Sequence, residues 1–344
     1  MTEGGTMIHT IDYHTGGEPF RIVTSGVPDI PGGTVLERRE SAAAPEIDGV
    51  RRLLCHEPRG HADMYGCFLV PPDDEGADLG VLFWHKDGYS TACGHGTIAL
   101  GVHAVDSGLV QADPDGETDV VVDVPSGRVT ARVRCAAGRV EAVTFRNVPS
   151  YVLARDVELG PLAGTSPDAD AAGSGTGPLA GVRADVSYGG AIYASVPAAA
   201  FGLSVAPEHL TELIALGRAV KAALAGHPAS RHPGDDRLSG IYGVIFYDEL
   251  GPGHQRNVTV FADGEVDRSP CGSGTAARLA LLHADGFTGT LVHEGIVGTS
   301  FRARVAEVTE EGIVPEVEGM AYRTGEHRFT LDPRDPVGTG FTLR

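Results

Sequence analysis

Lysine is nearly absent from this 344-residue chain: Lys86 and Lys221 are its only examples. That scarcity leaves few candidates for a Schiff-base amine holding pyridoxal phosphate. Basic charge as a whole is short, with 27 Lys+Arg against 46 Asp+Glu and a net charge of −19. Nucleic acid and anionic membrane surfaces are therefore not expected partners, since both need a basic face to replace counterions. No run of about 18 apolar residues marks a membrane span. The opening "MTEGGTMIHTIDYH" lacks the basic patch and apolar run of an export signal, so a cytoplasmic protein is expected. The five cysteines, Cys55, Cys67, Cys93, Cys135 and Cys271, are odd in number and lack short metal-type and Cys-x-x-Cys spacings. Free thiols are expected rather than a disulfide framework, a metal cluster or a dithiol redox site. There is no dinucleotide-binding fingerprint either, and the expectation is that no cofactor and no metal are required.

What is present suits a globular protein of two ordinary domains, with 42% hydrophobic and 21% charged residues. The stretch "DVVVDVPSGRVTARVRCAAGRVEAVTFRNV" alternates apolar and polar residues around turns at Pro125-Ser126-Gly127 and near Gly138, which predicts an antiparallel meander. Val129, Ala131, Val133 and Cys135 share one face there, so Cys135 is a core residue. A boundary is expected near residue 150, with residues 1–150 as a first α+β half, completed by a tail over 325–344, and 151–324 as a second. "GTSPDADAAGSGTGPLAG", Gly164 to Gly181, has the small and polar composition of an exposed loop. Leu210, Leu213, Ile214, Gly217, Val220 and Leu224 follow helical spacing and predict a packing helix, ended by Gly226 and Pro228.

Two short segments repeat one another. "TACGHGTIALG" around Cys93 and "SPCGSGTAARLAL" around Cys271 both carry Gly at +1, Gly at +3, Thr at +4, Ala at +6 and Gly at +15 from the cysteine. A Tyr-Gly pair precedes each, Tyr65-Gly66 by 28 residues and Tyr242-Gly243 by 29. The chain reads as a degenerate duplication with one cysteine per half, and two such halves would face each other across a cleft. In each copy an apolar strand ("VLFWH", "VTVFA") leads through a polar turn to the cysteine, and a helix-compatible run follows. Each thiol would then sit at a helix N-terminus, where unpaired N–H groups and the helix dipole favour a thiolate and form an anion site. Glycine at +1 leaves room for an approaching carboxylate, and glycine at +3 would ease the turn. Two opposed sites of this kind suit proton transfer at the carbon next to a carboxylate, one thiolate removing a proton as the other thiol delivers one to the opposite face.

At these residues the chain resembles the proline racemase family, which includes proline racemases, hydroxyproline 2-epimerases and trans-3-hydroxy-L-proline dehydratases. "IDYHTGGEP", "RGHADMYG", "CGHGTIA", "SYGGAIYA", "DRSPCGSGT", "IVGTSF" and "DPVGTGF" carry the resemblance over nearly the whole chain. It implies the diaminopimelate epimerase-like fold, two similar α+β domains around a central cleft. It also implies that Cys93 and Cys271 are the paired acid/base residues, and that the backbone N–H groups of Gly94, His95, Gly272 and Ser273 hold the substrate carboxylate. Asp267 and the His95 side chain match positions that bind the ring nitrogen, and Tyr65 and Phe261 match positions that wall the ring.

Blander roles stand beside these. Asp267 is placed to cap the turn before a helix, His95 to serve as a turn residue, and Tyr65 and Phe261 to fill the core. His14, Glu18, His61 and Asp63 lie in family-like motifs with no evident chemistry beyond orienting loops, and Cys55 and Cys67 read as packing residues. The expected activity is cofactor-independent inversion of Cα in proline or hydroxyproline. The alternative is dehydration of trans-3-hydroxy-L-proline, because "HKDGYSTACGHG" and "YGGAIYA" look closer to that branch, although that branch carries threonine where this chain has Cys271. Diaminopimelate epimerase, whose motifs carry Asn or Thr where His95 and Ser273 stand, and a non-catalytic imino-acid binder are lower alternatives. The expected partner is a small imino acid, and a homodimer is compatible with the sequence.

Overall fold

The computed structural model describes residues 7–160 and 178–343. The expected loop therefore lies outside the described residues over 164–177. The chain divides into two compact units, 7–148 with 318–343, and 149–160 with 178–317, among the described residues.

In the first unit, β1 (Ile8–Thr15) and β2 (Glu18–Ser25) are followed by α1 (Val35–Ser41) and α2 (Pro45–Cys55). Then come β3 (Tyr65–Val70), β4 (Leu79–His85), β5 (Gly88–Tyr89) and α3 (Gly94–Asp106), and the meander β6 (Glu117–Val124), β7 (Gly127–Ala136) and β8 (Arg139–Arg146). The second unit holds β9 (Tyr151–Glu158), β10 (Arg183–Tyr188), β11 (Ile192–Pro197), α4 (Leu210–Ala223), β12 (Ile241–Gly251), β13 (His254–Phe261), β14 (Glu265–Asp267), α5 (Gly272–Ala284), β15 (Leu291–Gly295), β16 (Ser300–Val308) and β17 (Ile313–Gly319). The chain then returns to the first unit as β18 (Ala321–Phe329).

Strand pairing repeats step for step. In the first unit β18 pairs antiparallel with β1 and β1 with β2, β2 runs parallel to β3, β3 antiparallel to β4, and β4 parallel to β6. In the second, β9 pairs antiparallel with β10 and β10 with β11, β11 runs parallel to β12, β12 antiparallel to β13, and β13 parallel to β15. The short hairpin strands β5 and β14 occupy matching places on β4 and β13. This is an α+β fold built from a duplicated unit, as the repeated motifs imply.

The first-turn residues of α3 and α5 are buried, and so is most of each helix, which explains why neither sequence shows a polar face. α3 lies against β7 and β8, and a Cβ at Gly101 would stand 2.9 Å from the Ala131 methyl, so only glycine lets helix and sheet approach this closely. Val129, Ala131, Val133 and Cys135 are buried together on β7. α4 buries Leu213, Gly217 and Val220 as the spacing predicts, while Leu210 and Ile214 are half-buried. All five cysteines are free and buried. Among the described residues no helix is long and apolar enough to cross a membrane.

Candidate functional site

Cys93 forms the N-cap of α3, with extended backbone (φ −156°, ψ 101°). Its Sγ accepts the Gly96 N–H at 3.2 Å, so sulfur satisfies one of the first-turn donors that a helix leaves unpaired. Thr97, at +4, donates its hydroxyl to the Cys93 carbonyl at 2.8 Å. The His95 ring lies beside the sulfur, Nδ1 at 3.5 Å, and packs edge-on against Phe20 and Tyr65 with centroids 5.7 and 5.0 Å away. Thr15 donates to the His95 carbonyl at 2.9 Å, and the Tyr65 and Ser90 hydroxyls share a bond of 2.5 Å. Gly94 and His95 are the first two residues of α3, where the helix itself supplies no acceptor for N–H groups.

Cys271 forms the N-cap of α5, followed by Gly272 and Ser273, but its backbone is left-handed (φ 63°, ψ 99°) and its side chain makes no cap bond. A non-glycine residue held there costs roughly 1–3 kcal/mol unless its surroundings impose the conformation. The surroundings are unusually polar for a buried site. Asp267, at the end of β14, accepts both the N–H and the hydroxyl of Ser269, at 2.9 and 2.6 Å, and Ser269 Oγ accepts the Cys271 N–H at 3.1 Å. The thiol points to the Tyr193 hydroxyl at 3.9 Å, which shares a 2.7 Å bond with Ser273 Oγ. Phe261 stacks on Tyr242 with centroids 5.6 Å apart, and Tyr242 meets the edge of Tyr193.

Two expectations change here. The helix N-terminus does not make Cys271 a resting thiolate: burial first, and then the negative charge of Asp267, push its thiol up, and the Gly274 N–H and Thr259 hydroxyl do not offset them. The +3 glycines do not ease a turn, because both lie within regular helix. They make room for sulfur: a Cβ at Gly96 would stand 2.8 Å from Cys93 Sγ and 2.5 Å from the Phe20 ring, and one at Gly274 would stand 2.9 Å from Cys271 Sγ.

In the first unit His95 thus lies against Cys93, with Tyr65 packed on the His95 ring, and in the second Asp267, Gly272 and Ser273 gather around Cys271. Phe261 belongs to the aromatic layer with Tyr242 and Tyr193. Asp267 does cap its turn, as the blander reading has it. His14 and His61 each accept a backbone N–H in their own turns. Glu18 is fully buried, and Cys55 donates to the Met64 carbonyl. Tyr193 was not singled out from the sequence, although a signal existed: Gly189-Gly190-x-x-Tyr193 repeats Gly16-Gly17-x-x-Phe20. Ser90 and His293 carried no local signal.

The proline racemase family profile matches residues 10–342. The chain belongs to the proline racemase family. It is 41% identical over 343 residues to a trans-3-hydroxy-L-proline dehydratase of Bacillus cereus, covering 97% of each chain. It is 43% identical over 346 residues to a 3-hydroxyproline 2-epimerase of Burkholderia multivorans, covering 98% of each. Among solved structures, a hydroxyproline epimerase from Agrobacterium vitis with bound trans-4-hydroxy-L-proline superimposes with a TM-score of 0.87 at 30% identity, over 98% of this chain and 96% of that one.

Proposed function

We propose that this enzyme inverts the Cα stereocentre of proline or a hydroxyproline without a cofactor, using Cys93 and Cys271 as the acid/base pair. The observation that carries the reading is the presence of a cysteine at the N-cap of both duplicated helices, with Gly, Gly and Thr in the same positions after it. Inversion needs a proton acceptor on one face of Cα and a donor on the other, and a thiol at both positions meets that need. The backbone N–H groups of Gly94, His95, Gly272 and Ser273 would receive the substrate carboxylate, whose charge grows as Cα is deprotonated. Asp267 and His95 would hold the ring nitrogen, and Tyr65 and Phe261 would flank the ring. In one direction the Cys93 thiolate takes the Cα proton and the Cys271 thiol supplies a new one. The product leaves Cys93 protonated and Cys271 as thiolate, which is the state that runs the reverse reaction.

The second reading, dehydration of trans-3-hydroxy-L-proline, is favoured by the name of the Bacillus cereus relative. One base at Cα would suffice. The Cβ hydroxyl would leave with a proton as water, and the resulting enamine would tautomerise to a cyclic imine.

Incubation in D₂O separates the readings. Inversion predicts deuterium at Cα of L-proline, trans-4-hydroxy-L-proline or trans-3-hydroxy-L-proline together with the opposite Cα configuration, with no loss of water. Dehydration predicts that trans-3-hydroxy-L-proline alone is consumed, to an imine trappable with borohydride. A substrate that exchanges no α-hydrogen and loses no water would show a binding protein instead. Activity should survive exhaustive dialysis against chelator, and restoration by a metal after such dialysis would overturn the cofactor-free mechanism.

A further inference from the structure

Cys271 stands in a backbone conformation that only glycine adopts readily, and Cys93, at the matching position, does not. Something must hold it there. The residue before it, Pro270, has a carbonyl that accepts two side-chain hydrogen bonds, from Thr275 Oγ1 at 3.1 Å and from Asn257 Nδ2 at 3.0 Å. The Thr275 hydroxyl has one hydrogen, and it is directed at Pro270. Its 2.8 Å contact with His293 Nδ1 must then be a bond that the histidine donates. Asn257, Thr275 and His293 are completely buried, and among the described residues His293 Nε2 has no hydrogen-bond partner. The neutral ring this requires agrees with burial lowering the His293 pKa to about 3.

The duplicated half lacks this arrangement. There Thr97, the counterpart of Thr275, bonds directly to the Cys93 carbonyl. In the second half the same threonine reaches one residue further back, and two more buried polar side chains support it. Buried polar groups are costly unless fully engaged, so two of them converging on one peptide, with a third behind them, need a reason.

We propose that Asn257, Thr275 and His293 form a positioning network that locks the Pro270–Cys271 peptide and so holds the Cys271 thiol in its buried place beside Asp267 and Tyr193. This rests on Cys271 being an acid/base group of the reaction. None of the three need touch substrate. They act through the backbone, and they fix the position from which Cys271 exchanges its proton, where a displacement of about 1 Å can cost two orders of magnitude in rate.

The test is Thr275→Val, which keeps the shape and removes the hydroxyl, with Thr275→Ser as the conservative rescue. Two readouts are taken on the full chain. Turnover should fall at least about tenfold in kcat, with KM little changed, and Thr275→Ser should restore it. Alkylation of Cys271 by iodoacetamide, followed by peptide mass mapping across pH, should become faster at pH 8 in Thr275→Val. A released thiol leaves the burial and the negative charge that keep it protonated, while Cys93 in the same molecules should label at its wild-type rate. His293→Asn should move both readouts in the same direction by a smaller factor, and it decides the matter if Thr275→Val does not fold. A folded Thr275→Val or His293→Asn protein with wild-type kcat and a wild-type Cys271 labelling profile would overturn the proposal. Cys271→Ser keeps the two failures apart: wild-type turnover in that variant would defeat the acid/base role, whereas the labelling profile reports on the network either way.

Discussion

Cys93 and Cys271 occupy one position in one repeated motif, yet their surroundings differ in nearly every respect that governs a thiol. Cys93 is extended, caps its helix through sulfur and lies against an imidazole. Cys271 is left-handed, makes no cap bond and lies near a carboxylate and a phenol. Duplication has preserved the frame and let the two chemical environments diverge. In the proposed two-thiol mechanism, which needs a proton acceptor and a proton donor together, such inequality would be useful: burial and Asp267 push the Cys271 thiol up, and the acceptor role at the start of a turnover would fall to Cys93.

The strongest way to break this comparison is to remove each thiol in turn. Cys93→Ser and Cys271→Ser should each reduce inversion by at least about 10²-fold, whereas Cys135→Ser, on the meander, should change the rate little. Chiral chromatography of the product measures this, and wild-type rates in either Cys93→Ser or Cys271→Ser would end the two-thiol mechanism.

Next in size is the charge beside Cys271. Asp267→Asn removes the carboxylate that helps keep the thiol protonated, so its pKa should fall and its alkylation at pH 8 should quicken about tenfold, the effect of one pKa unit. Cys93 labelling in the same sample should stay as it was. An unchanged or slower Cys271 rate would show that burial alone holds the proton.

The +3 glycines offer a finer contrast. Gly96→Ala must displace the Phe20 ring as well as sulfur, while Gly274→Ala presses mainly on the Cys271 side chain. Overpacking of this kind costs about 1–3 kcal/mol, and Gly96→Ala should stand at the upper end. Urea unfolding of the two variants measures the difference, and a larger loss in Gly274→Ala would reverse the ranking.

A last contrast concerns one buried histidine in each unit. Burial lowers His103 to about 4 and His293 to about 3, below the ordinary value of 6.5. The unfolded chain therefore binds protons that the folded chain does not as pH falls from about 6.5 towards 4. Stability should be fully present above pH 7 and should decline below it, by up to about 1.4 kcal/mol per pH unit for each histidine. Urea titrations at pH 7 and 5 test the sign, and His103→Asn should flatten the dependence.

Much of the fold and the placement of both cysteines at helix starts were legible because they rest on local pattern. Alternation gave the β6–β8 meander, and helical spacing gave α4. The repeated Cys-Gly-x-Gly-Thr frame gave both helix starts and the duplication. What stayed hidden depends on contacts distant in the chain. Nothing in "SPCGSGT" says that Cys271 is left-handed, and of the three side chains proposed to hold it only Thr275 lies in that stretch, Asn257 standing 14 residues before the cysteine and His293 22 after it. The thiol's preference for its proton was misread for a related reason. A helix start is visible in sequence, but the burial and the nearby carboxylate that outweigh it are not.

The placement of β18 has a consequence for synthesis. The second unit is drawn from one uninterrupted stretch of sequence, so everything it pairs with is available once β17 has been made. The first unit must pair β1 with β18, and over three hundred residues separate the two strands. As the chain emerges from a ribosome, the half that starts first is therefore the one that finishes last. Until β18 arrives, β1 presents an open strand edge of the kind that invites pairing with other chains.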